Sequence, residues 1–419
     1  MLSATADGLG VAQRLVTQGN DVAVWIKEPT YHRSGMGIVE RPNSWREKLP
    51  WAELVICDMV GFGQFEDVFR RMGKPYLACN SMLDLMELDR AKGMEVFQAL
   101  GIKTPETFSF KNVAEAQSAL SAMEWQNGFV LKPDGNIGTA KTMVIKEEQE
   151  LEWALSTYKP GTSMIVQRIV DGVEISTEGW FNGRTFLRPF NHTFEEKRLM
   201  AGGLGPNTGC MGNVVLAREG NKLTAATVER LAPFLSKVGY RGPVDVNCIV
   251  NEQGAWALEA TARFGYDAIE ALLEGLREPA IDLFFETAQG VKKDMDITSD
   301  AMIAVRLTVP PYPDEDHPQK DWGDPIFGIT KESIKHLFLC NVFADPEDKF
   351  FKVADADGLV LKATARGGVQ GKDYTRFARE RVYRTLDNIR VSNKQYRLDI
   401  GQRVNGDMQK LIEWGWVQA

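Results

Sequence analysis

Several absences narrow the sequence before any motif is read. No apolar run approaches the ~18 residues that a membrane-crossing helix needs. The first eight residues, Met1 to Gly8, lack the basic start and long apolar core of a signal peptide, so the expectation is a cytoplasmic protein. A basic excess is missing too: 49 Lys and Arg stand against 57 Asp and Glu, a formal net charge of −8. That balance argues against a nucleic-acid surface, while leaving room for local basic pockets that bind small phosphorylated ligands. Cysteine is sparse and scattered (Cys57, Cys79, Cys210, Cys248, Cys340), odd in number and never in a Cys-x-x-Cys pair. Reduced thiols follow, with no zinc signature. Neither an internal repeat nor a low-complexity tract interrupts the chain.

What remains is 419 residues, 44% hydrophobic and 25% charged, the balance of a folded enzyme with two or three domains. Residues 1–80 alternate strand and helix signals: strands near Leu2–Thr5, Asp21–Ile26, Leu54–Cys57 and Pro75–Cys79, with a helix opened by Gly8 and Gly10. Strands separated by helices predict a parallel sheet with ligands at the carboxyl ends of its strands. Gly8 and Gly10 can seat a phosphate on the helix N-terminus, or simply make a tight turn. A helix is predicted over Asp84–Leu100. An α+β unit follows, with strands at Phe129–Lys132, Thr142–Lys146 and Ser163–Arg168, a glycine loop through Gly135 and Gly138, and a helix over Glu148–Tyr158. Strands Val173–Phe181 and Thr185–Arg188 flank an Asn182-Gly183 turn, a helix covers Lys222–Val238, and Pro243–Val250 and Ala255–Glu259 form a hairpin. Pro310–Pro325 reads as a surface loop ahead of a last α+β segment with a basic helix near Tyr374–Ile389.

Three features carry chemistry together. Arg90 and Lys132 are cations on different elements that can converge on one polyphosphate; taken singly, each is an ordinary surface charge. Asp245 and Glu259, on the two strands of the predicted hairpin, can hold one or two magnesium ions, or be exposed strand residues. Gly205-Pro206-Asn207-Thr208-Gly209-Cys210-Met211-Gly212 packs three glycines and a proline into eight positions. Such a run reads as neither helix nor ordinary strand but as a loop offering backbone N–H groups to a ligand. His192 pairs with no Ser, Cys or Asp at a catalytic spacing, and a structural role is expected. The charge run Glu195-Glu196-Lys197-Arg198 reads as a solvated face.

The run at 205–212 resembles the signature of the glycinamide ribonucleotide synthetase (phosphoribosylamine–glycine ligase) family, with Cys210 in place of a glycine. Lys197-Arg198, Ala262-Arg263-Phe264-Gly265 and Tyr396-Arg397-Leu398-Asp399-Ile400-Gly401-Gln402-Arg403 are similar to that family's further motifs, in the same order. The resemblance implies an ATP-grasp fold, α/β and α+β: a Rossmann-like parallel-sheet domain over 1–83, an ATP-grasp domain over 84–300 with a lid at about 105–170, and a small α+β domain over 301–419. It implies ATP with magnesium, or manganese in its place. Lys132 and Arg90 would hold the phosphates, Gln167, Arg168 and Val170 the adenine, and Glu174 the ribose. Glu259 and Asp245 would bind the metal, with Thr261 where an asparagine is usual. Arg263 would hold the carboxylate substrate, with Lys132 stabilising charge during transfer. Gly8, Gly10, Asn207, Thr208, Gly209 and Met211 complete the implied substrate set.

The implied reaction joins glycine to phosphoribosylamine, in purine biosynthesis, through an acyl phosphate. Small-molecule partners only, and a monomer or homodimer, are expected. This sequence departs from the family pattern at Ala6–Gly10, at Pro133–Lys141, at Glu195-Glu196 and at Ala201–Leu204. Two alternatives follow: the same chemistry with a different amine, or a nucleotide-binding protein without turnover.

Overall fold

The structure, a computed structural model, describes residues 1–125, 127–134, 142–314, 323–354, 356–368 and 373–418. The glycine loop at Gly135 and Gly138, and half of the Pro310–Pro325 loop, lie outside the described residues.

Short parallel strands open the chain. Leu2–Ser3 pairs with Trp25–Ile26, and Val55–Ile56 with Tyr76–Leu77; a parallel bridge from Leu2 to Cys57 joins the two pairs. Each strand is shorter than its apolar run, because only two residues of each enter the ladder. Helix Leu9–Thr17 covers them, burying Leu9, Val11, Ala12 and Leu15 at helical spacing. The single helix expected over Asp84–Leu100 is two, Ser81–Leu88 and Arg90–Ala99. Asp89 breaks them: its extended backbone ends the first helix, and its carboxylate caps the second by accepting from the Lys92 amide.

Two antiparallel sheets carry the rest. The smaller orders Thr107–Phe110, Met164–Arg168, Phe129–Pro133 and Met143–Ile145. Helices Val113–Leu120 and Gln149–Ser156 flank it, and Phe110, Leu120, Phe129, Leu131 and Leu155 give it a core of its own. The larger sheet has eight strands in the order Gly254–Thr261, Gly242–Asn251, Val173–Phe181, Phe190–Met200, Leu204–Arg218, Ala301–Thr308, Leu359–Gly367 and Leu337–Leu339. It runs without a break across residue 300.

Two expectations about this sheet change. Thr185–Arg188 forms no strand; its partner place is taken by Phe190–Met200. The glycine-rich run 205–212 is no loop but the first half of strand Leu204–Arg218. Its pairing with Phe190–Met200 slips twice, between Glu196 and Arg198 and again before Met200, and Gly205 and Gly212 have φ of 78° and 146°. Glycine at those two positions lets an irregular strand stay paired where a side chain would strain it. Residues 204–207 remain exposed while Cys210 and Met211 are fully buried.

Candidate functional site

Between the two sheets lies a cavity of about 1200 Å³. Arg90 and Lys132 border it from the helix and the small sheet. Gly172, Val173, Glu174, Glu195, Lys197 and Glu259 come from the large sheet, and Asn207, Thr208 and Gly209 from the irregular strand. Strand alternation explains the set, since Glu174, Glu195 and Glu259 share one sheet face in the observed register. A smaller cavity of about 240 Å³ adjoins it, lined by Glu87, Thr261 and Arg263 and sharing Arg90 and Glu259 with the first.

Charge in the large cavity is organised around Glu259. The Arg90 Nη1 donates to its Oε2 at 2.9 Å, and the Lys197 Nζ lies 4.0 Å from its Oε1. Burial would raise this carboxyl, but Lys197, Lys132 and Arg90 hold it far below the usual carboxylate range. Lys197 also donates to Glu174 at 3.1 Å and lies 3.5 Å from Glu195, so three carboxylates share one ammonium and raise its pKa well above that of a free lysine. Glu174 is held low chiefly by that same Lys197, against the effect of burial. Lys132 is the opposite case. Its side chain is 7% exposed, among the described residues its Nζ donates to the Leu258 carbonyl alone at 3.3 Å, and burial pulls its pKa from 10.5 down to about 8. A buried lysine short of acceptors is poised for an anion.

The mixed charge run therefore is not a solvated face. Glu195 and Lys197 point into the cavity, while Glu196 accepts from Arg403 Nε at 2.8 Å and lies 3.1 Å from Arg397. Through these contacts the Tyr396–Arg403 motif clamps the cavity wall: Arg403 also donates to the Glu195 and Glu174 carbonyls, and Arg397 to the Arg198 carbonyl. Lys197 was visible in the sequence only as half of a Lys-Arg pair.

The hairpin that carries Asp245 and Glu259 forms as expected, but a bulge follows Asn247. Asn247 thus stands opposite Glu259, and Asp245 stands opposite Thr261. Asn247 donates to Glu174 at 3.4 Å, and its buried Oδ1 has no partner. That oxygen beside the Glu259 carboxylate suits a hard cation, which takes oxygen ligands from protein and phosphate together. Among the described residues no group of three or more His, Cys, Asp and Glu side chains makes a self-sufficient metal cage.

The remaining candidates spread out. Gln167 is 1% exposed and donates to Thr107 and Met94, so its side chain packs inside the small domain. Arg168 pairs with Glu106 at 3.2 Å and stacks on Phe129, and Val170 lies in the connection to Gly172. Arg263 is bound twice to Glu87, at 3.0 and 3.2 Å. Met211 packs with Tyr312, Cys340 and Leu359. Gly10 lies against Phe338, where a Cβ would meet backbone, and Gly8 caps helix Leu9–Thr17 beside Asp58. His192 is structural: fully buried, bonded to Asn221 at 2.7 Å and Thr177 at 3.3 Å, its pKa is pushed by burial down to about 4.

Comparison with known proteins agrees with this geometry. Residues 91–268 match the ATP-grasp (A) domain of phosphoribosylglycinamide synthetase. The chain is 27% identical over 353 residues to a phosphoribosylamine–glycine ligase of Streptomyces coelicolor, covering 81% of each. It is 26% identical over 351 residues to that of Leifsonia xyli, covering 80% of this chain and 81% of the relative. Among solved structures, phosphoribosylamine–glycine ligase of Thermotoga maritima superposes with a TM-score of 0.73 at 20% identity, covering 96% of this chain and 99% of that one. The biotin carboxylase domain of the Hydrogenobacter thermophilus 2-oxoglutarate carboxylase, solved with MgADP and bicarbonate, gives 0.63 at 13% identity, covering 100% of this chain and 98% of that one. The fold is ATP-grasp, and the chain is similar to the phosphoribosylglycinamide synthetases over its ATP-grasp domain and, at lower identity, over most of its length.

Proposed function

We propose that the chain is an ATP-dependent carboxylate–amine ligase that joins glycine to phosphoribosylamine, giving glycinamide ribonucleotide. The observation that carries this reading is the convergence of Arg90, Lys132 and Lys197 with Glu259 from both sides of the large cavity. A carboxylate oxygen of glycine attacks the γ-phosphorus of ATP and ADP leaves, forming an acyl phosphate. The amine nitrogen then attacks the acyl carbon, phosphate departs, and the nitrogen loses a proton. Lys132 and Arg90 neutralise charge on the transferring phosphoryl, as preorganised cations do in phosphoryl transfer. Glu174 takes the ribose hydroxyls. Glu259 and Asn247 would hold magnesium, which screens the phosphate charges when bound. Arg263, at the adjoining cavity, receives the glycine carboxylate on release from Glu87. The Asn207–Gly209 stretch, exposed and irregular, closes over the reacting centre and keeps water from the anhydride.

A different amine is the second reading, and one feature favours it. Beside Gly8 stand the carboxylates Asp7 and Asp58, and the two cations facing Asp7, Lys362 at 3.4 Å and Arg306 at 4.0 Å, are both shared with Asp267, Lys362 also with Glu270. Among the described residues, both of these cations are already engaged by carboxylates rather than turned to a sugar phosphate. ADP release with magnesium, ATP and glycine, with and without phosphoribosylamine, and product mass, separate the two. Glycinamide ribonucleotide formed only with phosphoribosylamine supports the first reading, and ADP formed only with another amine supports the second. No turnover across a panel of acids and amines refutes both.

A further inference from the structure

Extending from the cavity wall, the same sheet face carries two rows of buried and half-buried polar residues. The register aligns Thr193, Ser176, Asn247 and Glu259 in one row, and Asn191, Glu178, Asp245 and Thr261 in the next. Glu178 and Asp245 are thus direct cross-strand neighbours, a pairing of like charges that weakens a sheet unless something intervenes. Among the described residues Glu178 accepts from neutral donors, Trp180 Nε1 at 3.1 Å and Asn191 Nδ2 at 3.0 Å, and Asp245 accepts from the Ser176 hydroxyl at 3.1 Å. The contrast with Glu174, Glu195 and Glu259 is sharp, because those three have Lys197 and Arg90.

Two further oxygens lack partners. Asn191 Oδ1 and Thr193 Oγ1 are buried in residues only 2% and 5% exposed, and among the described residues neither finds a hydrogen-bond partner. Such orphans are rare because each costs about 1–3 kcal/mol. Everything missing here is therefore a donor and a positive charge. Burial pushes the Glu178 carboxyl up to about 7, the response of a carboxyl without a counter-ion. Access exists at the edge: Asp245 is only half-buried, and its row ends at Thr261, which lines the cavity that holds Arg263. Adjacent rows on one face are about 7 Å apart. A small amino acid bridges that gap when side chains reach toward it from both rows.

Resting on the ligase reading, we propose that Asp245 and Glu178, with the oxygens of Asn191 and Thr193, form an ammonium subsite that holds the protonated amino group of the amino-acid substrate. Its carboxylate then lies toward Glu259 and Arg263. In this assignment Asp245 serves the substrate and not the metal.

Calorimetric titration of the full chain with MgADP present tests it, using glycine, glycolate, ethylammonium chloride and potassium chloride as probes. Wild type should bind glycine at least ~10-fold more tightly than glycolate. Asp245→Asn and Glu178→Gln should each erase that preference while leaving MgADP affinity unchanged, which also reports that the variants fold. A preference for glycine that survives both substitutions overturns the proposal, as does loss of MgADP affinity in Asp245→Asn, the mark of a metal ligand. If wild type binds neither acid, the amino-acid part of the ligase reading fails and ethylammonium decides the subsite. Binding of ethylammonium that both variants lose supports it; no binding, or binding of potassium alone, overturns it.

Discussion

Replacing Lys132 by methionine should make the free protein more stable while destroying its hold on nucleotide. The side chain is nearly fully buried, with the Leu258 carbonyl as the acceptor of its Nζ. Keeping that ammonium charged at pH 7, when burial has drawn its pKa from 10.5 to about 8, costs the folded state roughly 3 kcal/mol. Methionine keeps most of the stem volume and removes the charge. Part of the gain is offset because Glu259 loses one of three cations, though Arg90 and Lys197 remain. A net stabilisation of about 1–3 kcal/mol at pH 7 follows. The pH dependence has a definite sign. Between about 8 and 10.5 the unfolded chain binds the proton that the folded chain has shed, so wild-type stability rises with pH across that window. The advantage of Lys132→Met is therefore full below pH 8 and fades toward pH 10.5. Urea unfolding followed by tryptophan fluorescence measures it, and MgATP titration should show affinity reduced 100-fold or more. A variant less stable than wild type at pH 7, or one that still binds MgATP normally, refutes the reasoning.

Other perturbations give separate outcomes. Lys197→Met leaves Glu174, Glu195 and Glu259 without their shared ammonium; with that lysine side chain 32% exposed, water offsets part of the loss and about 1–2 kcal/mol of stability should go. Glu174 and Glu259 have depressed pKa values, so their stabilisation exists above the unfolded carboxyl pKa and vanishes as pH falls through the folded one. The loss caused by Lys197→Met should therefore be full near pH 7 and shrink as pH falls below the unfolded carboxyl pKa, measurable by urea melts between pH 3 and 7, and an equal loss at both ends contradicts this. Lys362→Met removes a fully buried cation 2.7 Å from Glu270, 3.3 Å from Asp267 and 3.4 Å from Asp7. It should cost about 3–5 kcal/mol at pH 7 and less at pH 5, where protonation of Asp7 and Glu270 relieves the uncompensated charge. Equal loss at both pH values removes the electrostatic explanation.

The alternating and apolar strands were legible in the sequence: Phe129–Pro133, Met164–Arg168, Val173–Phe181 and the hairpin through Asn251–Gly254 lie where their patterns put them. So was the convergence of Arg90 and Lys132 on one cavity. Composition misled at 205–212, where glycine and proline imitate a loop while long-range pairing with Phe190–Met200 keeps a strand. It misled again at Glu195–Arg198, because a charge run shows no face until its neighbouring strands are known. Counting back from the hairpin turn sets Glu259 against Val246; the bulge after Asn247 moves the partner by one residue and brings in Asn247. A one-residue irregularity of that kind leaves no mark in an apolar strand pattern. The two polar rows that start at Thr193 and Asn191 arise from four separate strands and emerge only when the sheet is assembled.

The central claim is that the carboxylate substrate is activated by phosphorylation. Glycine labelled with ¹⁸O in its carboxylate, incubated with MgATP, phosphoribosylamine and the full chain, tests it most directly, with the released phosphate read by mass spectrometry. An acyl phosphate hands one carboxylate oxygen to the departing phosphate, so one ¹⁸O per phosphate is expected, in step with ADP and amide formed. Amide and ADP accompanied by unlabelled phosphate would contradict the account.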